Sequence, residues 1–164
     1  MSDALLIREI GVDEFPGAWS IFQQVIATGD TYSYPPDMRM EQARTMWTTP
    51  PSRCFIAESG SEIRGLYMLR PNQPGLGDHV ANAGYMVSPQ ARGQGIASMT
   101  CEHSLEEARR SGFQAMQFNF VVSTNEGAVR LWRRHGFEIV GRIPGAFRHV
   151  SQGLTDVYVM HRKL

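Results

Sequence analysis

One thirteen-residue stretch constrains this chain more than any other. Residues 85–97 read YMVSPQARGQGIA. A strand-like segment runs into Gln90-Ala91-Arg92-Gly93-Gln94-Gly95, and helix-forming sequence begins at once. The first N–H groups of a helix have no intrahelical partner and sit at the positive end of its dipole. Glycines in front of them let an anion approach the backbone without a Cβ clash. Arg92 adds a charge-assisted contact. On these residues alone two readings stand side by side: an anion cradle that needs no lysine, or simply a tight strand-to-helix turn. Gly-x-Gly is a weak signal by itself, because 16 of the 164 residues are glycine, and Gly75-Leu76-Gly77 repeats it. Only the Gly93/Gly95 pair joins a strand to a helix. The dinucleotide fingerprint G-x-G-x-x-G does not fit, since it needs glycine where Ser98 stands and belongs at the first strand–helix turn.

Around the junction the apolar pattern alternates between strand and helix periods. Residues 4–10 read as a strand. Asp13 is placed to cap a helix carrying Phe15, Trp19, Phe22, Val25 and Ile26, with Pro16 in its first turn. Residues 29–36 (GDTYSYPP) form a loop, and 38–47 a second helix. Strands 54–58 and 63–70 flank the turn Ser59-Gly60-Ser61. Val80–Val87 is the strand entering the junction, and residues 95–110 are the helix leaving it, with Gly112 just past its end. Residues 113–122 form a strand, 125–135 a helix ended by Gly136, and 137–142 and 155–162 the last strands. The order β-α-α-β-β-β-α-β-α-β-β gives one mixed α/β sheet. With no repeat and no linker, residues 1–164 form a single domain.

Composition bounds the partners. The chain is 42% hydrophobic and 20% charged, the balance of an ordinary soluble domain. Sixteen Lys+Arg offset sixteen Asp+Glu, which argues against nucleic acid as a partner. Lys163 is the one lysine, so Schiff-base or phosphate-loop lysine chemistry is not expected. The zero balance is uneven along the chain. Residues 1–82 hold six Arg against ten acidic residues, and residues 83–164 hold ten basic against six acidic. No segment approaches the ~18 apolar residues of a membrane span. Asp3, Arg8 and Glu9 interrupt the opening stretch where a signal peptide needs an apolar run. The expected location is cytoplasmic, with no membrane partner. Cys54 and Cys101 lack ligand spacing and the histidines are scattered, so no metal is expected.

A second motif follows the next strand, at residues 125–137: NEGAVRLWRRHGF. The two stretches together resemble the GNAT superfamily of acetyl-CoA-dependent N-acetyltransferases. Gln90 to Gly95 match its pyrophosphate loop, Q/R-x-x-G-x-G/A. Asn125, Ala128, Leu131, Trp132, Gly136 and Phe137 match its N-x-x-A-x-x-L-Y/W-x-x-x-G-F pattern. The resemblance implies the GNAT fold, a single mixed, mostly antiparallel sheet with a central splayed parallel strand pair flanked by helices. It implies acetyl-CoA as co-substrate. Met86, Val87 and Ser88 would pair their backbone with the pantetheine arm. Arg92, Gly93, Gln94, Gly95, Ile96 and Ala97 would hold the pyrophosphate. Asn125 would reach the pantetheine, and Trp132 would pack against the cofactor. An amine would attack the thioester carbonyl directly, with strand N–H groups stabilising the oxyanion. Members often dimerise, so a homodimer is expected by analogy.

The sequence departs from that pattern at two positions. Many members carry a tyrosine that protonates the leaving thiolate where Trp132 stands, and indole is no acid at neutral pH. Many carry a glutamate base on the splayed strand, but residues 79–87 hold no carboxylate. Tyr85 is either a substitute acid or part of the core and pocket wall. Asn82 and Asn119 lie on the two central strands, where asparagine is uncommon. They either position the substrate or satisfy backbone groups near the splay. The stretches HVANAGYMV, AMQFN, VVSTNEGAVRLW and IVGRIPGAF resemble the fungal azetidine-2-carboxylate acetyltransferase branch. That resemblance implies acetylation of a small amino or cyclic imino acid, with Asn82 and Asn119 at the substrate and Tyr85 and Phe120 lining it. The loop 28–36 offers Asp30, Thr31, Tyr32 and Tyr34 to the acceptor pocket, or serves as a plain connector. The alternatives are another small amine of antibiotic or herbicide type, a protein N-terminus, or a non-catalytic acetyl-CoA-binding module.

Overall fold

Alternating apolar residues in the middle of the chain decide the architecture, because they bury both faces of a central strand. The computed structural model describes residues 3–164; Met1 and Ser2, the start of the expected 1–164 domain, lie outside the described residues. The chain runs β1 (Leu5–Ile10), α1 (Trp19–Ala27), α2 (Met40–Thr48), β2 (Arg53–Ser59), β3 (Glu62–Pro71) and β4 (Val80–Val87). It continues through α3 (Ile96–Arg110), β5 (Ala115–Val122), α4 (Glu126–Arg134), β6 (Glu138–His149) and β7 (Gly153–Lys163). The strands form one seven-stranded sheet in the order β1-β2-β3-β4-β5-β7-β6. All neighbours are antiparallel except β4 and β5. A parallel pair needs a crossover, and α3 supplies it.

Ala81, Ala83 and Tyr85 of β4 pack on one face with Cys101 and Leu105 of α3, Leu131 and Trp132 of α4, and Phe137. Met86 packs on the other with Leu66, Met68, and Phe22, Ile26 and Trp47 from α1 and α2. Gly84 lies between. A Cβ there would stand 3.2 Å from Tyr32 Oη and 3.7 Å from the Trp47 ring. The missing side chain lets the loop after α1 close on the sheet.

Two local expectations change. Asp13 does not cap the first helix. A short 3-10 turn, Phe15–Ala18, begins at Glu14 without a side-chain cap. The Glu14 carboxylate instead accepts from the Gly11 N–H at 3.4 Å and pairs with Arg8 at 2.6 Å. β6 also runs through His149 rather than ending at Arg142. Register shifts between Ile139 and Gly141 and between Ile143 and Phe147 absorb Pro144 and Gly145, residues that ordinarily end a strand. Asp156 holds the irregular stretch by accepting from the Gly145 N–H at 2.8 Å.

Candidate active site

β4 and β5 pair only at Val80↔Ala115 and Ala81↔Met116. Beyond those residues the strands part. The Asn72 N–H donates to the Val80 carbonyl and the Ser88 N–H to the Arg64 carbonyl, each at 2.8 Å. Hydrogen-bonded pairs alternate along an antiparallel ladder. The even-numbered residues of β4 therefore bond to β3, and Ala83, Tyr85 and Val87 turn their N–H and C=O groups toward the gap. Of the expected Met86, Val87 and Ser88, only Val87 presents its backbone to the gap. Met86 and Ser88 are engaged with β3.

The gap opens into a cleft of about 880 Å³. At one end stands the glycine junction. Gly93 and Gly95 have φ of 77° and 79°, in the left-handed region that favours glycine. No atom lies within 4 Å of a Cβ built at either position. α3 starts behind them with no side-chain cap and no acidic residue in its first turn, so its first N–H groups are free to meet an anion. Arg92 and Arg134 line this end, and among the described residues neither has an ion-pair partner. Ala97 and Asn125 line it too. Asn125 also caps α4, its Oδ1 accepting from the Ala128 N–H at 3.3 Å. Ile96 reaches the cleft while its side chain packs with Ala57 and Ala91. Gln94 faces a separate hollow beside Arg64 and Met99. Trp132 packs its ring centroid 4.9 Å from Tyr85 and 5.0 Å from Phe118. An uncapped helix start, unpartnered guanidiniums and unpaired strand amides together fit a long ligand with phosphates at one end and amides along its arm.

The other end is built from carboxamides. Asn82 Nδ2 donates to the Gln117 carbonyl at 3.0 Å, bridging the strands one residue past their last pair. Gln117 Nε2 donates to Asn119 Oδ1 at 3.0 Å, and Asn119 Nδ2 to Asn72 Oδ1 at 2.6 Å. Asn82 thus satisfies a backbone group at the splay while it also lines the cleft. A register shift between Phe118 and Val121 turns Asn119 and Phe120 outward. Phe120 stands edge-on to Phe147 at 6.1 Å and lines the cleft.

The loop between α1 and α2 is a pocket wall. Tyr32 Oη donates to the Tyr85 carbonyl, one of the groups facing the gap, at 2.7 Å. The Tyr32 and Tyr34 rings stack at 5.4 Å, and Tyr34 Oη accepts from Trp47 Nε1 at 3.1 Å. Burial raises the Tyr32 pKa, so the phenol keeps its proton. The Tyr85 phenol lies on the opposite face of β4, 2.6 Å from Ser104 Oγ. Burial raises its pKa well above the ordinary value. Its ring packs against the core beside Trp132, and Tyr85 also lines the cleft. Asp30 is the one carboxylate among the cleft-lining residues.

Several lining residues escaped the sequence reading, Ser33, Met46 and Arg70 among them. Arg70 of β3 lies across from Asn82 and faces the cleft. Only the strand register reveals it. Among the described residues no group of three or more His, Cys, Asp or Glu side chains is arranged to hold a metal ion. No helix among them is long and apolar enough to cross a membrane.

The model of the acetyltransferase (GNAT) family matches residues 15–137, taking in the glycine junction and the α4 motif together. This chain belongs to the GNAT family. It is similar to a GCN5-related N-acetyltransferase from Kribbella flavida, at 40% identity, with 98% of each chain covered and a TM-score of 0.92. That GNAT structure shares the seven-stranded architecture across nearly the whole chain. The N-acetyltransferase aca1 of Schizosaccharomyces pombe is 36% identical over 100 residues, 60% of this chain and 48% of that protein. The chain therefore spans about half the length of that relative. An L-methionine sulfoximine/L-methionine sulfone acetyltransferase of Pseudomonas aeruginosa is 28% identical over 149 residues, covering 84% of this chain and 83% of that one.

Proposed function

We propose that this GNAT domain moves an acetyl group from acetyl-CoA to the nitrogen of a small amino or cyclic imino acid. The observation that carries the reading is the acceptor end itself. Asn82 and Asn119 line the cleft there, Asn82 held by the Gln117 main-chain carbonyl and Asn119 by the Gln117 and Asn72 carboxamides, and the tethered Tyr32 adds a wall. Carboxamides offer donors and acceptors in fixed directions without charge. Such a set orients a compact polar acceptor. The similarity to an enzyme named for two amino-acid analogues supports a small acceptor.

Acetyl-CoA, when bound, supplies the acetyl thioester. Arg92, Arg134 and the first N–H groups of α3 would hold its phosphates, and Val87 its amide arm. The N–H groups of Ala83 and Tyr85 are the donors available to negative charge at the reacting carbonyl. In the overall reaction the C–N bond forms as the C–S bond breaks, and one proton leaves the nitrogen. Neither central strand carries a carboxylate to take that proton. In this reading the acceptor nitrogen enters neutral or loses its proton to water, with Asp30 of the α1–α2 loop the one carboxylate on the cleft wall, and the thiolate departs without a tyrosine at position 132. The two buried free cysteines suit a reducing cytoplasm.

The test is thiol release from acetyl-CoA with a panel of imino acids, amino acids, other small amines and peptides. Release with the small acids is the expected result. Release with peptides alone overturns this reading. Acetyl-CoA binding with no release on any acceptor makes the domain a binding module.

A further inference from the structure

We propose that Arg70 is the residue that selects the acceptor, by binding its carboxylate; the inference rests on the acetyl-transfer reading above. Arg70 is the last residue before the closing proline of β3 and pairs directly with Asn82. Directly opposed residues on antiparallel strands project from the same face. That face is the one the α1–α2 loop covers. Met68, two residues back, is buried with Trp47 and Met86, and Gly84 opposite Met68 lies under Tyr32. β2 stops pairing at Arg53↔Leu69, so Arg70 reaches past the end of that strand. It lines the same cleft as Asn82, Asn119 and Tyr32.

Arg70 is one of several exposed arginines that have no charge partner among the described residues, and it differs from Arg39, Arg133 and Arg148 in lining the cleft. Arg8 is paired with Glu14 and Glu58, Arg53 with Glu9 and Glu107, and Arg64 with Glu62. Among the described residues Arg70 has neither an ion pair nor a hydrogen bond from its side chain. Two other cleft arginines, Arg92 and Arg134, share that condition, and the phosphates of acetyl-CoA account for them. They do not account for Arg70. From its partner Asn82 to Val87 the strand rises about 16 Å, and only then does the chain enter the glycine junction. Arg70 therefore stands at the far end of the cleft from the phosphate site.

A guanidinium presents a planar fork that matches a carboxylate with two parallel hydrogen bonds. The carboxamides around it carry no charge, so they neither neutralise Arg70 nor replace it. An unpaired cation on this wall also repels a bare ammonium, whereas an amino or imino acid brings an anion that offsets it. Attraction and repulsion favour the same class of acceptor.

Matched acceptor pairs test this: proline against pyrrolidine, and azetidine-2-carboxylate against azetidine, with wild type, Arg70→Gln and Arg70→Lys. Wild type is expected to favour the acids by about 30-fold or more in kcat/KM, the range of a charge-assisted hydrogen bond. Arg70→Gln is expected to bring that ratio close to one through KM, and Arg70→Lys to restore part of it. Acetyl-CoA affinity, measured alongside, reports whether each variant is folded. Wild type that acetylates pyrrolidine as well as proline overturns the inference and leaves the acetyl-transfer reading standing, and this arm needs no variant. A preference that survives in Arg70→Gln does the same. Turnover restricted to peptides overturns both.

Discussion

Asn82 combines a bond to the backbone with a place on the cleft wall. Its amide nitrogen closes the first open rung between β4 and β5, and the residue lines the cleft where we propose that the acceptor binds. Asn82→Ala is expected to lower kcat/KM for the acceptor about tenfold, the worth of one neutral hydrogen bond. Acetyl-CoA affinity, read by titration calorimetry, is expected to hold. Unchanged kinetics in both Asn82→Ala and Asn119→Ala would remove these residues from acceptor positioning. His103 illustrates a residue with no part in the cleft. Its Nδ1 lies 2.7 Å from Tyr67 Oη, and its ring packs edge-on to Phe55. Burial holds its pKa below the ordinary value, so the folded chain favours the neutral ring more than the unfolded chain does. The unfolded chain then binds the extra proton first, and stability falls as pH drops below about 6.5. His103→Gln is expected to flatten the decline of Tm between about pH 6.5 and pH 5; an unaltered slope would contradict this account.

The strand–glycine–helix junction acts as one element. At Gly93 the backbone is left-handed and the surroundings are open, so a side chain there meets strain rather than a clash. Gly93→Val is expected to cost about 1–2 kcal/mol of stability and to weaken acetyl-CoA binding at least tenfold, checked by thermal denaturation and calorimetry. Retained affinity would contradict the cradle. This element was legible in sequence because its signals are local: the glycines, the apolar strand before them and the amphipathic helix after them. The helix ending at Gly136 was legible for the same reason, whereas Asn125 proved to cap α4 rather than to stand inside it. Local signals misled at Pro144 and Gly145, where pairing with β7 carries the strand past two residues that ordinarily stop one. They also misled at Asp13, where Glu14 serves Arg8 and Gly11 instead. Arg70, Asn72 and the division of labour along β4 were not legible at all. Each depends on which residue of β3 faces which residue of β4, and no nearby residue type records that register.

Across the whole molecule the uneven charge has a structural meaning. The basic half builds the glycine junction, α3 and α4, with Arg92 and Arg134 on the cleft wall. Acetyl-CoA affinity is therefore expected to weaken as salt rises from about 0.05 M to 0.5 M, over which the screening length shrinks severalfold. The slope is expected to be shallower in the Arg92→Gln/Arg134→Gln double variant; equal slopes would place the phosphates elsewhere. The parting of β4 and β5 has a consequence of another kind. An open sheet has two outer edges, and folded proteins disguise them because spare N–H and C=O groups recruit foreign strands. This sheet has four edges, two of them turned inward to face each other at its centre. In hydrogen–deuterium exchange the amides of Ala83, Tyr85 and Val87 would behave as edge amides although their side chains border the core. Two strands from the middle of the sheet thus keep the spare backbone, where a ligand can complete the sheet and a neighbouring protein finds no flank to extend.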